Sequence, residues 1–251
     1  MEGQRITRQS SKSSDSYRTG EEFARAEAYK LLSIAISYPD LENLRFIKES
    51  APLIAGQKRW PPAKEELNRF LLTLEDASPL VLEPEYNRLF VESGLPPYET
   101  EYGLPHVFAK MNQLADIAGF YKGFGLTGSS ETKERLDSLP VELEFMYYLI
   151  LKQEFARTKE WRERSETCHE AQRRFLEAHL GRWAAAYCAT VRKRATLPFY
   201  TTILEFAQKF LEEDVHHLRA QPERLAEVKT PDGSQETVEC GGECGIGRQA
   251  E

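Results

Sequence analysis

Between Glu21 and Ala220 the apolar residues recur at intervals of three and four, the repeat of one helix face, and no strand alternation competes with it. A chain patterned this way folds as helices packed on helices. Phe23, Ala26, Leu31, Ile34 and Ala35 feed a first helix that stops at the Tyr38-Pro39-Asp40 turn. Past the Trp60-Pro61-Pro62 breaker, Leu67, Phe70, Leu71 and Leu74 share one helical face. Pro84 suits a first helical turn, where its missing N–H costs nothing, and Glu85 to Val91 continue from it. After a Gly- and Pro-rich loop, Val107, Met111, Leu114 and Ala118 form a further stripe, expected to be buried. The segment starting near Pro140 and running through VELEFMYYLILKQEF is the most apolar and is expected to be the most buried. Glu166 to Leu180 and Trp183 to Arg194 read as two more helices, and Phe199, Ile203, Phe206 and Phe210 make a last one behind Pro198. The expectation is an all-α, single-core bundle of antiparallel neighbours joined by short connections.

The 251 residues are 41% hydrophobic and 29% charged, an ordinary globular balance. The pattern divides them into a disordered N-terminal arm over 1–20, a helical domain over 21–220 and a polar, Gly- and Cys-containing tail over 221–251. No apolar run is long enough to span a bilayer, so no membrane insertion is expected. A net charge of −7 gives no global reason to bind nucleic acid, whose phosphates it would repel. The N-terminus lacks the apolar core and cleavage site of a secretory signal, and the four cysteines make a poor disulfide framework. A reducing, cytoplasmic location fits both.

Enzyme motifs are absent or out of context. The chain has no nucleophile elbow, P-loop, zinc-protease helix or EF-hand loop. Gly123-Phe-Gly125-Leu-Thr-Gly128 matches a dinucleotide fingerprint, but a helix precedes it where that fingerprint needs a strand, so it reads as an interhelical loop. His216 and His217 are adjacent, hence about 100° apart on a helix, and do not converge on one metal. The expectation is a protein that is not an enzyme and holds no cofactor. Cys240 and Cys244 leave an alternative open: four positions apart amid glycines, they offer two thiolates to a soft metal or a redox pair, which would make this a metal- or redox-handling helical protein.

Three further motifs stand between residues 86 and 155. Tyr86-Asn-Arg-Leu-Phe90 is an aromatic-x-x-Leu-Phe helix, Leu95-Pro-Pro-Tyr-Glu99 a Pro-rich loop, and Asp137-Ser-Leu-Pro-Val-Glu-Leu-Glu-Phe-Met146 an unusual run of acids inside an apolar helix. In these the chain resembles the TorD/DmsD/NarJ family, cytoplasmic chaperones dedicated to molybdenum-cofactor oxidoreductases. The resemblance implies a TorD-like helical bundle, monomeric or homodimeric. It implies a chaperone that binds the apo catalytic subunit of a molybdopterin oxidoreductase, through a leader such as a twin-arginine signal peptide or through the body, and assists cofactor insertion, assembly and export proofreading. Where the family usually has His after the Asp, Ser138 stands here.

A leader combining cationic side chains with an apolar stretch calls for an apolar groove beside carboxylates. Tyr86, Phe90, Pro97, Tyr98, Glu99, Asp137, Ser138, Glu142 and Glu144 are the candidate client-binding residues, with Glu101 on the same loop. Each also has a plainer reading. Glu142 sits in a first helical turn, where the helix dipole favours an acid whatever the client. Glu144, if buried, needs an internal Arg or Lys. Phe145 and Met146 read as core.

Overall fold

The computed structural model describes residues 7–57, 63–104, 106–126 and 134–229, with side chains from Gly20 onward. The Trp60-Pro61-Pro62 breaker, most of the connector before Glu134, and the tail carrying Cys240 and Cys244 lie outside the described residues.

Helix α1 spans Thr7–Ala35. It starts well upstream of Glu21, because no proline interrupts the polar lead-in and a helix already docked extends at little cost. Its docked face is not the one that Phe23 suggests. Arg25 turns inward to meet Glu22, Gln172 and Asp214, and Phe23, about 200° round the helix from it, is left exposed. Helix α2 (Leu41–Ala55), not anticipated from the apolar spacing, begins where the Asp40 carboxylate accepts the Asn43 N–H at 2.8 Å, an N-cap following directly on the Pro39 turn.

Helix α3 (Lys64–Leu71) buries Leu67 and Phe70 as its spacing predicts. Helix α4 (Pro79–Tyr86) corrects the expected start at Pro84: Pro79 takes the first helical position behind Ser78, which leaves Pro84 inside the helix. The ladder then loosens into a π-helical turn over Asn87–Val91, closed by the Glu92 N–H on the Asn87 carbonyl at 2.9 Å.

Helix α5 (Val107–Gly123) overturns a second expectation. Its Val107, Met111 and Leu114 face solvent, and the residues it buries are Ile117 and Tyr121. Helices α6 (Leu139–Thr158), α7 (Arg162–Ala178), α8 (Leu180–Arg192) and α9 (Pro198–His217) follow as the pattern predicts, α7 and α8 being separated only by His179. Their buried residues join those of α1 to α3 in one continuous core. Within it α6 lies between α1 and α7, and α9 between α3 and α8. Beyond α9 the chain still packs: the Leu225 N–H donates to the Arg182 carbonyl at 2.8 Å and Val228 is buried. The packed body therefore continues past residue 220. Among the described residues no helix is long and apolar enough to cross a membrane.

Candidate functional site

The three motifs meet at the start of α6. Ser138 occupies the N-cap position with an extended backbone and pairs with Tyr98 as an isolated antiparallel bridge. Around it the Leu139 N–H donates to the Pro97 carbonyl at 2.8 Å, and the Glu99 N–H to the Asp137 carbonyl at 2.9 Å. The Pro-rich loop is thus stitched to the helix entrance by backbone bonds, and a short 3-10 turn, Glu99–Glu101, projects side chains into the junction.

Asp137 is fully buried and fully engaged. It accepts from Thr100 Oγ1 at 2.7 Å and from Arg135 Nε and Nη2, each at 2.9 Å. Burial alone would raise its pKa, but the Arg135 and Thr100 bonds outweigh burial and hold it below the ordinary aspartate value. Arg135 also reaches Glu101 at 3.1 Å and lies over the Tyr98 ring, 4.1 Å from its centroid. Lys110 of α5 closes the set with a 2.9 Å bond to Glu101. Asp137 is therefore the clasp that shapes this loop, its charge already matched from within.

Beneath the clasp lie two further acids. Glu142 is wholly buried; Trp183 Nε1 donates to its Oε2 at 3.1 Å, and its Oε1 has no donor. Burial, with the nearby charge of Glu99, pushes its pKa well above the ordinary glutamate value. A carboxyl held protonated in this way keeps a proton of its own to offer beside the Glu99 carboxylate. Glu99 accepts from Gln113 Nε2 of α5 at 2.5 Å and lies 3.2 Å from His179 Nδ1. Gln113 spans on to the Ala178 carbonyl at 3.1 Å. His179 Nε2 lies 3.2 Å from Asp116 Oδ2 without forming a well-aligned hydrogen bond.

The remaining sequence candidates separate cleanly. Tyr86 is half-buried between Tyr38 and Phe90, with ring centroids 5.5 and 5.0 Å away, and Phe90 is core, packed on Tyr200. Pro97 contributes its carbonyl, and Tyr98 presents one half-exposed face. The Ser138 hydroxyl is buried without a partner. Glu144 points to the other side of α6, exposed and paired with Lys30 at 2.6 Å.

The apolar part of the site is α5 itself. Its C-terminal half is anchored by Ile117, by Phe120 against Phe175 and by Tyr121 against Phe145. The N-terminal half rests on the polar bonds of Lys110 and Gln113 and leaves Val107 68%, Phe108 74%, Met111 62% and Leu114 37% exposed. These side chains leave a row of large apolar groups in water, the kind of surface that a partner can cover. Phe108, Gln113, His179 and Trp183 escape the sequence reading. For Phe108 a signal existed: α5 carries more apolar residues than a single buried face can use.

The family profile described as nitrate reductase delta subunit matches residues 57–189, more than half of the chain and all of this site's loop, α5 and the start of α6. The perchlorate reductase assembly chaperone protein of Dechloromonas aromatica is 28% identical over 211 residues, covering 80% of this chain and 92% of that protein. The chaperone protein TorD of Photobacterium profundum is 27% identical over 179 residues, 68% of this chain and 81% of its own. Among solved structures, one described as a redox enzyme maturation protein from Archaeoglobus fulgidus shares the fold, with a TM-score of 0.50 at 23% identity over 74% of this chain and 93% of that one. The profile match and the all-helical, single-core architecture together place this chain in the nitrate reductase delta subunit family.

Proposed function

We propose that this protein is a chaperone of redox-enzyme maturation that holds the apo catalytic subunit of a molybdopterin reductase until its cofactor is inserted. The observation that carries the reading is the exposed row on α5 above the Glu99–Glu142 pair, in a chain whose relatives include a reductase assembly chaperone. An apolar client segment lies along Val107, Phe108, Met111 and Leu114 and supplies most of the affinity. Its cationic residues meet Glu101, the partly exposed carboxylate of the loop, which sets register and selectivity. Asp137 and Ser138 shape the loop that presents it, and Tyr98 offers a ring at its edge. Glu144, across α6 and paired with Lys30, takes no part. The client leader is a twin-arginine signal peptide or a comparable basic-apolar segment, and binding takes place in the cytoplasm. A dissociation constant in the micromolar range, about −8 kcal/mol, suits a chaperone that must release its client.

The test is affinity purification of the full chain from host cells in which molybdenum-cofactor synthesis is blocked, so that apo-enzyme accumulates, with mass spectrometry of what accompanies it. Recovery of a molybdopterin reductase catalytic subunit, lost on restoring the cofactor, is expected. Absence of any such subunit in both conditions overturns the reading.

A further inference from the structure

At the far end of α5 from its exposed row lies a cavity of about 300 Å³, between the α5 C-terminus, the end of α6 and the start of α7. Three aromatic side chains, Phe124, Phe155 and Trp161, line it, together with the buried Cys168. Phe155 and Trp161 stand edge to face, centroids 5.9 Å apart, yet remain 56% and 44% exposed, an uncovered aromatic surface. The turn that presents Trp161 runs through Glu160 in the left-handed region, φ 58°, which costs a non-glycine residue energy and persists where the surroundings require it.

The same cavity carries unmatched positive charge. Lys152 donates one of its three protons to the Phe124 carbonyl at 2.9 Å and lies 4.9 Å from the Tyr148 ring centroid. Arg164 lies 4.4 Å from the Trp161 ring centroid. Glu160, Glu163 and Glu166 alternate with the basic residues in sequence, but among the described residues neither Lys152 nor Arg164 is ion-paired with a carboxylate. Two uncompensated cations at an aromatic-lined cavity, on a chain of net charge −7, select a ligand of opposite sign. The volume is that of a small-molecule site rather than of a polypeptide groove.

We infer that this cavity binds a small planar aromatic anion, its ring between Phe124, Phe155 and Trp161 and its carboxylate, sulfonate or phosphate on Lys152 and Arg164. The site stands apart from the chaperone reading and uses none of the residues assigned to the client.

Isothermal titration of the full chain with 1-naphthylacetate, and with the neutral 1-naphthaleneethanol as control, tests the inference. The anion is expected to bind one site with a dissociation constant on the order of 0.1 mM, and the alcohol about tenfold more weakly. Lys152→Met and Arg164→Gln each weaken the anion about tenfold, while Phe108→Ser on α5 leaves it unchanged. Bound anion also slows alkylation of Cys168, read by peptide mass in a Cys240→Ser, Cys244→Ser background. Equal affinity for the neutral alcohol, indifference to both charge substitutions, no protection of Cys168, or no binding up to about 5 mM overturns the assignment.

Discussion

Arg25 is the residue on which most of the core's polar geometry turns. Its guanidinium meets Asp214 Oδ1 at 2.5 Å, Glu22 at 2.7 Å and Gln172 at 2.8 Å, and Tyr29 donates to the second Asp214 oxygen at 2.6 Å. Removing one partner leaves the others charged and dry. Arg25→Met is therefore expected to cost about 3–5 kcal/mol in urea unfolding, and a loss below about 1 kcal/mol would contradict the network's role. Glu142 makes an opposite case. A carboxyl whose folded pKa is raised stabilises the fold below the ordinary glutamate range, and that contribution is lost as pH rises through the folded value. Glu142→Gln keeps a donor toward Glu99 without the titration. Unfolding curves from about pH 5 to 8 should show wild type losing stability relative to the variant as pH rises, and parallel curves would refute the raised Glu142 pKa. Glu22 acts at the acid end: burial pushes it up, His217 and Arg25 more than reverse that to about 2, and its contribution is lost as pH falls from the ordinary range toward that value. The acids of the Glu142 run were legible in the sequence. Their fates were not, because Trp183 lies 41 residues from Glu142, and His179 lies 80 from Glu99.

At the scale of elements, α5 separates what periodicity fixes from what it leaves open. The stripe of Val107, Met111, Leu114 and Ala118 is real and the helix forms, but spacing says which residues share a face and not what that face meets. Here a second face, built from Gln113, Ile117, Phe120 and Tyr121, docks instead. The two placements differ measurably. A buried Met→Ala change costs about 2–5 kcal/mol, an exposed one lies within about 0.5 kcal/mol. Met111→Ala is expected in the second range, with Ile117→Ala in the first, and the reverse order would put the stripe back in the core. Gln113→Ala is expected to speed hydrogen exchange of the α5 amides before Ile117, since Gln113 and Lys110 are the bonds that hold that half down, while leaving those after it slow. Helix α2 was missed for a different reason. Its Asp40 cap and its repeat of Leu44, Ile47, Ala51 and Ile54 are both in the sequence, but Pro52 stands inside that repeat and reads as a breaker.

The whole molecule is a single core of helices, and the sequence conveyed that plainly because each of α3, α6 and α9 carries its own buried stripe. The edges were less legible. Polar composition suggested that order ends near residue 220, yet Leu225 packs over Gly103, whose positive φ of 69° and missing Cβ make room for it, and Val228 is buried beyond. Single contacts of this kind leave no periodic trace. Truncation after Ala220 is expected to lower stability by about 3 kcal/mol in urea unfolding, and an unchanged midpoint would restore the earlier boundary. At this scale the molecule is a single-core bundle bearing one helix, anchored at its C-terminal half, whose apolar row is left open to solvent. The central claim is that this row receives the client. The direct measurement is fluorescence anisotropy of the co-purified reductase subunit's labelled leader segment against wild type and the Phe108→Ser, Met111→Ser double variant. Micromolar binding by wild type is expected, weakened at least about thirtyfold in a variant of unchanged stability, the loss that follows when apolar anchors leave an interface. Equal binding by the two proteins would contradict it.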